Sequence, residues 1–468
     1  MWHITKRELY DNLNSLRFAL ATVLLLALML TNAIVHLREH PVRMQKYRDA
    51  ATQSLNTLTS RTDLYDLAQK GPGKLYKKPS PLRFCADGGD SLLPTLTDAE
   101  SYFWGGRDFK AFSFWRMTYP SATPNLKNID PDATKIDWTF VIGYVLSLIA
   151  LLFTFDSVSG EREHGTLRLM LANPIPRHTI LIGKFLGAFI SVNIPFVIAV
   201  LMNLLLISTS SAVQLGAEEW GRLGIIIGIA MLYLCLFLAL GLLVSARVKQ
   251  SAVSLVVLLL IWVSFVIFMP NTLASIASRF SPARSYDAFQ EDRRQTHHAI
   301  LGVYHTQREK TDDPSKRMLI SGEYVTQDAE QDGRLRREYL SERISQVRRA
   351  REITRISPIA VTQHLLEIFT GTGLARHLQF VENVQLYDRE YHEFIADTER
   401  ADPESPHIIG VRDGMSQKKV SPEAIPIFED TLNLSKDFNA AAMDLLLLTL
   451  FVVVLLSGAY LAFVRVEV

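Results

Sequence analysis

Six stretches of this chain are long, apolar and free of charge through their middles: 16–37, 138–155, 180–207, 223–244, 252–269 and 443–464. A bilayer core roughly 30 Å thick takes about 20 helical residues to cross. Once water is gone, a spanning segment must satisfy its own backbone hydrogen bonds, and an isolated segment does so only as a helix. Large soluble proteins bury one or two such runs. Six runs in 468 residues predict an all-α polytopic membrane protein with six transmembrane helices. The first run is longer than the apolar core of a secretory leader, and no small-residue cleavage site follows it, so it is expected to remain as a helix.

Two long polar segments, 38–137 and 270–442, dilute this pattern, which is why the mean hydropathy is only +0.13. Lys6, Arg7 and Arg17, then Arg162, Arg168 and Arg177, then Arg247 and Lys249, and finally Arg465 fall on one side of the membrane, whereas the loop 208–219 carries neither Lys nor Arg. The bias of basic residues toward the cytoplasm therefore places both termini there and both polar segments beyond the membrane. Arg38, Arg43, Lys46 and Arg48 argue the other way for the first helix alone. A net charge of +1 supplies no basic excess for a nucleic-acid partner. Cys85 and Cys235 are too few and too far apart for a disulfide framework, which suits a multi-pass protein of the bacterial inner (plasma) membrane.

The polar segments read as one mainly helical extracytoplasmic domain built from two insertions. Residues 43–69 continue the first helix outward until Lys70-Gly-Pro-Gly stops it, and 71–131 suggest irregular, packed structure. In the second insertion 334–355 is a charged helix, and Ser357-Pro358 is a start signal with Ser357 as cap. The helix 359–370 then ends at Gly371-Thr-Gly373. Its returning partner, 374–399, carries Phe380, Val384, Tyr387, Tyr391 and Phe394 as a stripe that reads as helix-on-helix core.

Chemistry-bearing patterns are scarce. There is no G-x-x-x-x-G-K-[ST] loop to hold a nucleotide, no H-E-x-x-H and no G-x-S-x-G, so no catalytic, cofactor-binding or metal-ligating residue is assigned. His297, His298 and His305 read as solvated surface. Lys184, Arg222 and Asp444 stand near helix ends, where they are expected to snorkel toward headgroups. Asn193 and Pro195 read as a polar contact and a kink inside the bundle.

The most informative segment is 156–179, between the second and third runs. Glu161, Arg162, Glu163, His164 and Arg168 surround Leu167, Leu169, Met170 and Leu171, the pattern of a short amphipathic helix. Gly165 is expected to admit another backbone closely, and Asn173-Pro-Ile-Pro176 turns the chain back to the membrane. These residues alone suit an ordinary interfacial helix as well as a lever that takes force from a soluble partner.

The run Glu161-Arg-Glu-His-Gly-Thr-Leu167, then Pro174-Ile-Pro-Arg177, then Ile180-Leu-Ile-Gly-Lys184, resembles the signature of ABC exporter permeases of the six-helix, type-two class. Residues 4–18 resemble the amphipathic helix with which that family opens, within an N-terminal interface segment 1–18. The resemblance implies that Glu161, Arg162, Glu163, His164, Gly165, Thr166, Leu167 and Arg168, bordered by Arg7 and Glu8, meet a separate ATPase subunit. It further implies two ATPase copies carrying ATP and Mg, and a second permease, identical or homologous. This chain would itself carry no cofactor and perform no ATP hydrolysis. The two long insertions depart from common members. They leave open whether cargo crosses, or whether the ATPase drives an extracytoplasmic domain acting on an envelope partner.

Overall fold

The hydropathy pattern and the backbone agree along nearly the whole chain. The computed structural model describes residues 2–88, 95–100, 103–105, 110–112, 116–118, 136–172, 175–210, 213, 215–280, 284–408 and 411–465. Helix α1 (Trp2–Leu13) precedes α2 (Leu16–Thr59), which starts where the Ser15 hydroxyl accepts the Phe18 N–H. At about 1.5 Å per residue a helix of this length greatly exceeds a bilayer core, so α2 crosses and then projects. It ends at Thr59 rather than at Gly71, and a separate short helix, α3 (Leu64–Lys70), is capped by Asp63.

Strand β1 (Leu75–Tyr76) pairs antiparallel with β2 (Leu96–Glu100). Strands β3 (Phe103–Gly105) and β4 (Lys110–Phe112) form a pair, and β5 (Arg116–Thr118) joins β2. The rest of the irregular stretch expected over 71–131 lies largely outside the described residues.

The second run is α4 (Trp138–Phe140), a π-helical turn at Val141–Leu146 and α5 (Ser147–Leu152). After it come α6 (Ser159–Glu163), α7 (Thr166–Ala172), α8 (Arg177–Ser208) and α9 (Ala217–Arg247). Helix α10 (Ser251–Trp262) runs through a second π turn, Val263–Phe268, into α11 (Met269–Phe280). Five helices, Leu16–Thr59, Arg177–Ser208, Ala217–Arg247, Ser251–Leu273 and Leu434–Val464, are long and apolar enough to cross a membrane; Trp138–Leu152 is shorter. The expected second span stops being regular helix after Leu152, where 153–158 form turns.

A π turn shifts the hydrogen-bond register, and side chains fill in for it. The Gly143 carbonyl accepts the Tyr233 hydroxyl at 3.0 Å and the Ser147 hydroxyl at 2.6 Å. The Ser147 hydroxyl in turn accepts the Trp262 indole N–H at 2.9 Å, joining the two π-containing helices. Asn203 and Asn32 form a second polar lock in the bundle. The Asn203 amide donates to the Asn32 side chain at 3.0 Å and to the Met29 carbonyl, and Asn32 donates to the Phe84 and Ile136 carbonyls.

The second polar segment holds α12 (Tyr286–Glu309), α13 (Pro314–Thr354), α14 (Pro358–Thr370) and α15 (Gly373–Arg400), followed by the last span, α16 (Leu434–Val464). Helices α12 and α13 form a hairpin around Ile300, Tyr304, Tyr324 and Val325, with the His297 ring bonded to Asp328. The aromatic stripe of α15 is core, but its partner is not α14. Phe380, Val384, Tyr387 and Tyr391 pack on Leu64, Tyr65 and Leu67 of α3 and on Met415, Val420 and Ile425. The Tyr391 hydroxyl donates to the Leu67 carbonyl, so the two polar segments share one core.

All thirteen residues of α14 are buried. The Ser357 side chain does not cap it; the hydroxyl donates instead to the Phe265 carbonyl at 3.4 Å, tying the helix start to a span. Ile359 packs on Gly143, and Phe369 offers its carbonyl to Arg222. At the far end of α14, Gly88 (φ 59°) and Gly373 (φ 65°) bring two backbones so close that a Cβ on Gly88 would lie 2.9 Å from the Gly373 Cα. Only glycine suits both the left-handed φ and that gap.

Snorkelling is overturned for all three charged residues assigned to it. Arg222 is buried and pairs with Asp437 at 2.7 Å and Glu218 at 3.0 Å. Asp444 is buried and pairs with Arg355 at 2.6 Å. Lys184 is likewise enclosed. In each case a partner far away in the sequence delivers a counter-charge that the sequence order hides.

Two outcomes follow from this packing. A Cβ on Gly241 would fall 1.8 Å from the Thr154 hydroxyl oxygen, whereas nothing lies within 4 Å of one on Gly221. Gly241→Ala should therefore destabilise the bundle by about 1–3 kcal/mol despite its better helix propensity, and Gly221→Ala should not. Thermal unfolding in detergent reads the difference, and equal midpoints would refute the close crossing. Separately, burial pushes the Glu367 carboxyl up to about 7 from 4.5, against the pull of Arg351 and a hydrogen bond from Gln363. The folded state then holds a proton that the unfolded chain has lost, so stability should fall as pH rises from about 4.5 to about 7 and level off above. Glu367→Gln should flatten that slope in unfolding midpoints taken across the window; an unchanged slope would assign it elsewhere.

Candidate coupling surface

The segment 156–179 folds as two short helices, α6 and α7, hinged at Gly165, whose φ is 73°. Nothing lies within 4 Å of a Cβ built there. Within the chain the glycine serves the left-handed turn, and its open side leaves room for another backbone. Asn173 and Pro174, part of the expected return turn, lie outside the described residues.

Neighbouring helix ends hold α6 in place. The Ser245 hydroxyl of α9 accepts the backbone N–H groups of Val158 and Ser159, each at 3.0 Å. Arg162 donates to the carbonyls of Val248 and Ala246 at 3.3 and 3.4 Å, covering the C-terminal end of α9. Glu163 accepts the Ser251 N–H at 3.1 Å and its hydroxyl at 2.5 Å, covering the N-terminal end of α10. A cation at a helix C-terminus and an anion at the next N-terminus both match the helix dipoles. The Ser251 hydrogen bonds also hold the Glu163 carboxyl below the ordinary carboxylate value. Two adjacent charges of the recognised motif therefore clasp the turn between two spans.

Glu161 reaches the other way. Its carboxylate meets the Lys184 Nζ at 2.8 Å, and Glu8 of α1 meets the same Nζ at 2.6 Å. The Lys184 side chain is 1% exposed, so this is a buried triad joining α1, α6 and α8. The Thr5 hydroxyl donates to the Gly183 carbonyl at 3.3 Å, and Glu8 lies so near Gly187 that a Cβ there would come within 2.6 Å of its own. Lys184 and Ser245 are the residues that sequence reasoning missed as parts of this site. The signal for the first was present, as Gly183-Lys184-x-x-Gly187 sets a cation between two small residues on an apolar helix.

The ten residues implicated by sequence divide into two groups. Glu8, Glu161, Arg162 and Glu163 bond within the chain, and Leu167 is buried with Val158, Ile180, Leu181 and Phe463. Arg7, His164, Gly165, Thr166 and Arg168 are exposed, as is Leu169 at 72%. The first group fastens the surface and the second presents it.

Removing the Lys184 charge should leave Glu8 and Glu161 facing one another without their cation. Breaking a buried ion pair from one side costs about 3–5 kcal/mol. Lys184→Met should therefore release α1, seen as faster amide exchange over residues 2–13 and new protease cleavage there. Unaltered exchange would show that α1 is held by its other contacts.

Comparison with known proteins bears on what this surface serves. The model of a family described as ABC-2 family transporter protein matches residues 2–468. A probable ABC transporter permease protein NosY of Pseudomonas aeruginosa is 35% identical over 149 residues, which are 31% of this chain and 52% of that protein. The protein of the same name from Stutzerimonas stutzeri is 33% identical over 137 residues, 28% of this chain and 48% of its own length. The chain thus spans about half the length of the relatives it matches. With the family model covering essentially every residue, and with apolar helices that fit it, the chain belongs to the ABC-2 family of transporter proteins, as a multi-pass membrane permease.

Proposed function

We propose that this permease is the membrane subunit of an ATP-driven exporter, energised by a separate ATPase that docks on α6, α7 and the exposed face of α1. The observation that carries the reading is the combination in one loop of an exposed apolar side chain, Leu169, with a scaffold fully tied to three spans. A surface meant only to lie in headgroups needs no such fastening. A surface that must pass force does, because slack in its attachments would absorb the stroke.

In this reading Arg7, His164, Gly165, Thr166, Arg168 and Leu169 touch the ATPase, while Glu8, Glu161, Arg162, Glu163 and Leu167 position that contact. Both termini are cytoplasmic, the membrane is the bacterial inner membrane, and the polar unit lies outside the cell. Two permeases, identical or homologous, sit over two ATPase copies that hold ATP and Mg. Closure of the ATPases moves the paired loops as rigid bodies and biases the bundle between two arrangements.

A second reading has its own support. Helix α14 is buried throughout and wedged against α9, α16 and the π turns, and Arg222 joins α9, α14 and α16. The polar unit is thereby clamped to the spans, as a device that moves an extracytoplasmic domain against an envelope partner would require.

Leu169→Asp combined with Arg168→Glu should leave the permease folded and inserted, since both side chains are exposed. It should weaken co-purification of the ATPase and lower ATP turnover of the reconstituted complex by about tenfold or more, the scale of losing an interface anchor. Full association and normal turnover would rule out docking at this loop.

A further inference from the structure

The C-terminal end of α13 carries Arg348, Arg349, Arg351 and Arg355 within two turns, and its neighbours fix where it lies in the bilayer. Asp444 is the last charged residue of α16 before an uninterrupted apolar run of about 20 residues, the length of a bilayer core. It therefore marks the membrane boundary on the side of the polar unit. Arg355 pairs with Asp444, and two residues on, Ser357 bonds a carbonyl of the fifth apolar run. The arginines thus rise from that boundary through the depth of the headgroup layer.

Against them lies a cavity of about 610 Å³ between α13, α14, α15 and α16. Ile368, Leu374, Leu378 and Val381 supply its apolar wall. Most charges that line it are spent inside the protein: Arg355 on Asp444, Lys436 on Glu382, and Asp437 on Arg222. Two guanidinium groups keep donors to spare. Arg351 pairs with Glu367 at 3.0 Å, yet its buried Nε has no acceptor. Arg348 is exposed at the mouth and makes no ion pair among the described residues, including none with Glu352 one turn on. A buried N–H without an acceptor is costly, and guanidinium donors suit the paired oxygens of a phosphate.

We propose that this cavity binds an anionic membrane phospholipid, with the phosphate on Arg348 and Arg351 and the lipid body against the apolar wall. The bilayer supplies such a ligand at the height where the cavity opens, and an anionic headgroup adds charge that a zwitterionic one lacks. The site depends on the membrane frame and not on the direction of transport, so it stands or falls apart from the exporter reading.

The test uses the full chain in detergent with added palmitoyl-oleoyl phosphatidylglycerol, palmitoyl-oleoyl phosphatidylcholine or inorganic phosphate, read by native mass spectrometry and by lipid-dependent shifts in unfolding midpoint. Phosphatidylglycerol should be retained in preference to phosphatidylcholine. Arg348→Glu should weaken that retention by about tenfold or more, and Arg348→Gln by less, since it removes a positive charge without adding a negative one. Both variants should keep the lipid-free midpoint, because Arg348 is exposed and unpaired. Arg294→Glu, the same charge change on the α12 hairpin, should bind normally. Equal retention of the two lipids, an equal loss in Arg294→Glu, full binding by Arg348→Glu, or displacement of lipid by millimolar inorganic phosphate would each overturn the proposal.

Discussion

An ammonium group withdrawn from water inside a helix bundle persists only when carboxylates come to it, and Lys184 draws two from different parts of the chain. Glu8 arrives on the first helix and Glu161 on the loop after the second apolar run. Satisfying that single cation therefore requires α1 to lie along α8 and requires α6 to dock beneath the bundle. The small residues Gly183 and Gly187 let α1 approach closely enough, and Thr5 completes the contact. Once α6 is in place, Arg162 and Glu163 fall beside the ends of α9 and α10 and close the turn between them. The surface that remains exposed is the remainder of this arrangement, and Leu169 is the apolar side chain that α7 presents on it.

The opposite end of the bundle repeats the construction. Arg222, buried near the start of α9, is met by Asp437 of α16 and by the Phe369 carbonyl of α14. Asp444 is met by Arg355, and Glu367 by Arg351. Helices α8 and α9 thus carry a buried cation at one end or the other, each neutralised by a carboxylate from a distant part of the chain. Through α9 the two ends are parts of one element. Displacement of the loop at Ser245 and displacement of α14 at Arg222 are linked through the continuous helix α9.

The helical class and the positions of the apolar runs were legible in the sequence because lipid imposes a long, one-signed hydropathy pattern that little else imitates. The motif around Glu161 to Leu167 was legible too, and so was the aromatic stripe of α15 as core. Pairing was not. Lys184, Arg222 and Asp444 look like residues at helix ends, since hydropathy is local and their counter-charges on α1, α6, α16 and the end of α13 lie 23 to 215 residues away along the chain. Leu152 ends the second run early although Leu151 to Phe155 stay apolar, a break that hydropathy does not encode. The partner of the α15 stripe was missed for the same reason. Tyr391 and Leu67 are 324 residues apart, and a stripe shows that a face is covered without showing by what.

For the proposed surface to pass force, 156–172 must be one rigid piece with the spans it hangs from. Spin labels at Ala172 and Lys249, both exposed, bracket that attachment within one chain. Their separation is to be measured by double electron–electron resonance in the complex with its ATPase, without nucleotide and with nucleotide trapped. A single narrow distance that keeps its mean in both states is expected, while distances across the proposed permease pair change. A shift or broadening of the Ala172–Lys249 distance on nucleotide binding would contradict it, because the loop would then swing on its own rather than drive the bundle.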